Sequence, residues 1–175
     1  DMQEKKVCWV NEGRNYIGDI IDSDLKEVAD NGLLQATTDY SFIEDVDTVC
    51  ICVPTPLDIY QQPDLSYVKN STENIAKYLH PGMLIVLEST TYPGTTEELV
   101  KPILEKKSGL KCGQDFFLAF SPERIDPGNA WYKVNNTPKV VGGVTPDCTE
   151  VASYLYRNII QGKVHPVSSP KVAEM

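Results

Sequence analysis

Three short polar segments carry the residue types that could do chemistry. Pro54-Thr55-Pro56 follows the run DTVCICV, Ser89-Thr90-Thr91 follows LIVLE, and Ser121-Pro122-Glu123 follows FLAF. Together they offer hydroxyls and a carboxylate, the makings of a ligand crevice with a catalytic loop. Each residue also has a plain structural use. Thr55 between two prolines makes a rigid turn, and Ser89, Thr90 and Thr91 are helix-capping types. Glu123 could pair at the surface with Arg124 or Lys133. Convergence of the three segments on one edge is what separates the two uses.

Four apolar runs have strand character, at residues 47–53, 83–90, 116–121 and 138–143, with a fifth candidate at 33–39. They are continuously apolar rather than alternating, as strands covered on both faces are. Helical segments lie between most of them. Residues 65–80 follow Asp64 as an N-cap and place Leu65, Val68, Ile75 and Leu79 near one stripe. Residues 95–109 start at Thr95 or Thr96, end on Lys106, Lys107 and Gly109, and carry Pro102, which predicts a kink or an irregular turn. A third helix is predicted over 145–160, with Pro146 in its first turn. Strand and helix in alternation predict an α/β fold, a doubly wound and mostly parallel sheet with right-handed crossovers. In such a sheet the three polar loops leave the same edge, at the carboxyl ends of the strands, where open α/β sheets bind ligands. Each proline fixes where strand pairing stops.

The totals narrow the class. A chain of 175 residues with 41% hydrophobic and 23% charged residues fits one soluble globular domain. A net charge of −9 argues against a nucleic-acid partner. No apolar run approaches the roughly 18 residues that span a bilayer. The cysteines are five, without C-x-x-C spacing, and imply a reduced, cytoplasmic setting. Cys50 and Cys52, two apart in a strand, read as small core hydrophobes on one face. Only His80 and His165 are present, and no metal site is expected. The dinucleotide fingerprint G-x-G-x-x-G is absent from the 11 glycines.

The segments ICVPTPLD, PDLSYV, LESTTYPGTTEELV and AFSPERIDPGN, in this order, resemble the N-terminal NAD-binding domain of the UDP-glucose/GDP-mannose dehydrogenase family. They are most similar to the branch that oxidises UDP-N-acetylhexosamines, and the resemblance covers nearly the whole chain. It implies a Rossmann-like fold and NAD as cofactor. It also implies oxidation of a nucleotide sugar at C6, from alcohol to acid, with two NAD+ and a thioester on a catalytic cysteine. Asp1 matches the acidic residue that ends the second strand and bonds the adenine-side ribose, and Lys6 a basic residue near it. Val53, Pro54, Thr55 and Pro56 match the loop beneath the dinucleotide. Ser89, Thr90 and Thr91 match the loop near the nicotinamide, where the family threonine, matched by Thr90, also helps orient a water. Glu123 matches the catalytic glutamate that assists water attack on the thioester, and Arg124 and Ile125 match a segment lining the sugar and diphosphate.

One departure bears on the substrate. Many UDP-glucose dehydrogenases carry a second acidic residue four positions after this glutamate, and here Pro127 stands there. That favours a UDP-N-acetylhexosamine over UDP-glucose or GDP-mannose; a non-catalytic nucleotide-binding or assembly module is the alternative of another class. None of the five cysteines matches the nucleophile, and the central-helix lysine and asparagine are expected after Met175. The opening DMQEKKV and the closing SSPKVAEM read as interrupted elements. The expectation is a fragment, truncated at its N-terminus: residues 1–163 as the NAD-binding domain without its first βα unit, and 164–175 as the start of a connection to a helical domain. The resemblance further implies a UDP-sugar partner, a role in polysaccharide biosynthesis and a homo-oligomeric full-length enzyme.

Overall fold

The computed structural model describes residues 1–16, 20–57, 59–124, 131 and 133–175. The chain divides into two compact units, Asp1–Tyr40 and Ser41–Met175. The first contains helices α1 (Glu4–Asn11) and α2 (Asp22–Asp30). α1 buries no residue and α2 buries only Leu25. The expected strand at 33–39 does not form. Its backbone is claimed instead by a side chain: the Asn11 amide donates to the Ala36 carbonyl at 2.9 Å and accepts from the Ala36 N–H at 2.7 Å. An amide side chain that satisfies both main-chain groups does locally what a ladder partner would do.

The second unit is built on one five-stranded sheet in sequential order, β1 (Thr48–Ile51), β2 (Leu84–Leu87), β3 (Phe117–Phe120), β4 (Lys139–Gly143) and β5 (Val164–Val167). The four expected strands all form, and β1, β2 and β3 are parallel. β4 runs antiparallel to β3, pairing Ala119 with Gly143 and Phe120 with Gly142, and β5 is parallel to β4. The sheet is therefore mixed and mostly parallel, a Rossmann-like arrangement. β5 was not anticipated: its sequence VHPV carries a proline, which a ladder tolerates at the sheet edge.

α5 (Pro146–Ile159) covers one face. Its Ala152 and Tyr156 pack with Leu84, Val86, Ala119, Val141 and Val164. Gly143 lets this helix approach, since a Cβ there would lie 2.2 Å from Thr149 N. Thr145 caps the helix by accepting from Cys148 N–H at 3.2 Å, one residue before the expected Pro146. The alternate residues Ile85, Leu87 and Leu118 are fully buried and point to the opposite face. α3 (Ser66–Ile75) contacts β1 and buries Val68 and Ile75. Asp64 steadies its start by accepting from Ser66 N–H at 2.9 Å. α4 (Lys101–Ser108) ends on Gly109 at φ 79°, as the sequence predicts. Ahead of it Thr96–Val100 winds as a π turn. Pro102 explains this, since its ring excludes the carbonyl an α-helix would place four residues back.

Cys50 and Cys52 do not lie in the core; both are exposed. Among the described residues β1 pairs only with β2, and the core cluster formed with α5 includes no β1 residue. Desolvation around the sulfurs and the Glu88 charge nonetheless push the thiols up, to about 12 for Cys50 and about 11 for Cys52. Among the described residues no helix is long and apolar enough to cross a membrane.

Candidate functional site

The parallel direction of β1, β2 and β3 sends the three polar loops to one edge, as expected. There a cavity of about 300 Å³ opens. Cys52, Val53, Pro54 and Thr55 line it from the β1 loop, Glu88, Ser89 and Thr90 from the β2 loop, and Glu123 from the β3 loop. Ser89 fastens the first two loops together. Its hydroxyl accepts from Val53 N–H at 2.9 Å and faces the carbonyls of Val53 at 2.8 Å and Ile51 at 3.2 Å. Thr90 is exposed on the rim, whereas Thr91 turns inward. The Thr91 hydroxyl oxygen is buried without a hydrogen-bond partner. Pro56 lies just outside the cavity lining, and its carbonyl accepts from Asp64 N–H at 2.7 Å.

Glu123 points one carboxylate oxygen at its own chain and the other across the sheet. Oε1 accepts from Arg124 N–H at 2.6 Å, and Oε2 lies 3.7 Å from Lys139 Nζ. Its cation is therefore neither Arg124's guanidinium nor Lys133, the partners considered from sequence. Lys139 is 8% exposed and pairs more closely with Glu88, at 3.1 Å. The other oxygen of Glu88 takes a very short hydrogen bond from the Tyr156 hydroxyl, and the ammonium sits 5.0 Å from the Tyr156 ring. Burial, then the neighbouring Glu88 charge, drives the Tyr156 phenol well above its usual range. Tyr156, Glu88 and Lys139 were missed. The available signal was a lysine and a glutamate bounding apolar strands, because buried charges almost always have partners.

The chain's family follows from its match to the profile described as "UDP-glucose/GDP-mannose dehydrogenase family, NAD binding domain", which covers residues 1–160. The chain belongs to this family. It is 38% identical over 174 residues to a protein named UDP-N-acetyl-D-glucosamine 6-dehydrogenase from Pseudomonas aeruginosa, covering 99% of this chain and 40% of that one. Two solved structures are similar in fold. The NDP-N-acetyl-D-galactosaminuronic acid dehydrogenase of Methanosarcina mazei superposes with a TM-score of 0.90 at 36% identity, covering 98% of this chain and 37% of that one. The UDP-D-ManNAc dehydrogenase of Pyrococcus horikoshii gives 0.92 at 33% identity, covering 99% and 41%. The chain thus spans about 40% of the length of these dehydrogenase-family relatives, the part that is the NAD-binding domain.

Of the residues named from sequence, Val53, Pro54, Thr55, Ser89, Thr90 and Glu123 come together around the cavity. Arg124 is exposed beside it in sequence, and Ile125 lies outside the described residues, as does the rest of 125–130. Asp1 and Lys6 belong to the first unit. There the Asp1 carboxylate accepts from Gln3 N–H at 2.8 Å, and Lys6 Nζ lies 5.4 Å from the Tyr16 ring centre.

Proposed function

We propose that this chain is the cofactor-binding part of an NAD-dependent nucleotide-sugar 6-dehydrogenase that oxidises the C6 alcohol of a UDP-N-acetylhexosamine to the uronic acid. The observation that carries it is the cavity at the carboxyl edge, where the family's cofactor loops and Glu123 meet. The residues fit the nicotinamide side of the dinucleotide. The opening is of ligand size, Val53, Pro54, Thr55, Ser89 and Thr90 line it, and the Ser89 hydroxyl holds its two loops together. When bound, NAD accepts the hydride removed from C6. Asp1 and Lys6 serve the adenine-side ribose, and Pro56 and Thr91 complete the loops.

Glu123 is the general base. Water attacks the thioester carbonyl carbon, its proton passes to the Glu123 carboxylate, and the carbon–sulfur bond breaks. The products are the uronic acid and a cysteine thiolate contributed from outside this chain. Thr90, on the same rim, orients that water. Arg124 and Ile125 are the residues assigned to the sugar and diphosphate. Residues 1–163 form the NAD-binding domain, 164–175 lead toward a helical domain, and the enzyme is cytoplasmic and homo-oligomeric. The chemistry that supplies the nucleophile lies elsewhere in the enzyme, so this chain alone does not turn over substrate.

The test is turnover by the full-length protein on UDP-N-acetylglucosamine, UDP-N-acetylmannosamine, UDP-glucose and GDP-mannose. Two NADH should appear per N-acetylhexosamine. Preference for UDP-glucose or GDP-mannose would overturn the substrate assignment, and full turnover by Glu123→Gln would overturn the role of Glu123.

A further inference from the structure

A chain of four polar groups runs from the buried Tyr156 to Glu123 at the cavity. The Tyr156 hydroxyl donates to Glu88, Glu88 pairs with Lys139 at 3.1 Å, and Lys139 reaches Glu123 at 3.7 Å. Its inner members are buried, Glu88 at 13% and Lys139 at 8% exposed, whereas Glu123 at the cavity is 40% exposed. A buried ion pair is a poor way to hold a fold, because a well-packed apolar pair of the same volume serves as well or better. Lys139 stands beside Val140 and Val141 in a strand where an apolar side chain would pack readily. Its reach to Glu123 is what an apolar residue could not supply.

We propose that Lys139 is a positioning residue for Glu123, oriented in turn by Glu88 and Tyr156; this rests on the reading of Glu123 as the general base. The two oxygens of Glu123 are tied differently. Oε1 is held by the adjacent Arg124 N–H, and Oε2 is drawn toward the sheet by the ammonium. Two anchors on one carboxylate fix its plane, and a general base must present a lone pair to its water at hydrogen-bond distance. Without Lys139 the carboxylates of Glu88 and Glu123 would share a cavity wall with no cation between them, and Glu123 would swing outward into solvent. Glu88 has the complementary duty. It holds most of the ammonium's attraction, so Lys139 orients Glu123 without clamping it.

The experiment compares Lys139→Met, Lys139→Arg, Glu88→Gln/Lys139→Met and Glu123→Gln in the full-length enzyme. Lys139→Met should lower kcat about tenfold or more, a part of the roughly 10²–10⁴ a general base contributes. KM for NAD+ and for the nucleotide sugar should stay within about twofold, because no cofactor or substrate contact is assigned to Lys139. Intact-mass analysis of enzyme quenched during turnover should show the sugar acyl adduct accumulating in Lys139→Met, as in Glu123→Gln. Lys139→Arg should restore most of kcat and clear the adduct. The double variant, which removes both charges, guards against loss of folding and should show the same adduct. If Glu123→Gln accumulates adduct while the Lys139 variants do not, Lys139 is only structural and this proposal fails alone. If Glu123→Gln accumulates none, the general-base role fails and the proposal falls with it.

Discussion

Neutralising Glu88 by Glu88→Gln isolates the buried pair, because glutamine keeps the volume and leaves Tyr156 an acceptor. Lys139 then loses its partner at 3.1 Å and retains only Glu123 at 3.7 Å, a carboxylate already 40% exposed. Breaking a buried pair from one side costs about 3–5 kcal/mol. The residual Glu123 contact and the amide oxygen reduce this, so Glu88→Gln should cost about 2 kcal/mol. Lys139→Met leaves two carboxylates without their cation and should cost about 3 kcal/mol. The double variant leaves no uncompensated charge between those positions and should be no worse than Lys139→Met alone, a coupling of about 2 kcal/mol. Urea unfolding of this chain, followed by circular dichroism, reads these as midpoint shifts on the order of 1 M. If the two single losses simply add in the double variant, the pair is not coupled and the account of the cluster is wrong.

Alkaline pH should destabilise the chain through the same cluster. The unfolded state releases the Cys50 and Cys52 protons near their ordinary 9.0 and the Tyr156 proton near 10.0, while the folded state holds them to higher pH. Stability is then full below pH 9 and falls as pH rises; above pH 10 Tyr156 alone adds about 1.4 kcal/mol per pH unit to the fall. Tyr156→Phe should flatten that part of the curve, and an unchanged slope would refute the assignment. Glu174→Gln should loosen the turn that follows Thr91. The buried Glu174 carboxylate accepts from Gly94 N–H at 2.5 Å, and from Thr96 N–H at 2.8 Å and Oγ1 at 2.7 Å. Amide exchange at Gly94 and Thr96 should rise about tenfold, as loss of about 1.5 kcal/mol of charged hydrogen bonding implies; protection equal to the parent would count against the cap.

The elements most legible in the sequence are those whose burial is uniform. LIVL and FLAF have apolar partners on both faces, so their continuous runs identify strands without any periodicity. Local chemistry was equally plain where one residue decides the backbone, as at Pro102 and Gly109. α1 was silent because it buries nothing and carries no clear apolar stripe, whereas α2 does carry a short stripe at Leu25, Val28 and Ala29 that was passed over. The segment at 33–39 misled because strand-like residues need a ladder partner, and Asn11 took that place. Cys50 and Cys52 misled because a run of apolar residues does not say which of its side chains face the core; Ile51 between them does. At the site, the loops could be read from the prolines that end each strand. The cation facing Glu123 could not, because its place depends on a strand direction that local sequence does not encode.

That direction explains the cluster. β1, β2 and β3 bring their carboxyl ends to the rim, whereas β4 is reversed and brings its amino end. Lys139, the first residue of β4, therefore stands beside the residues that follow Phe120. Had β4 been parallel, Gly142 and Gly143 would lie there and no cation would reach Glu123. The facing is as strict as the direction. Two-residue alternation puts Lys139 on the side of Val141, and Glu88 on the side of Val86, which is the face covered by Tyr156. A one-residue slip between β3 and β4 would turn Lys139 to the opposite face and separate it from both glutamates. The pairing of Phe120 with Gly142 thus sets the rim's electrostatics as well as the sheet's register.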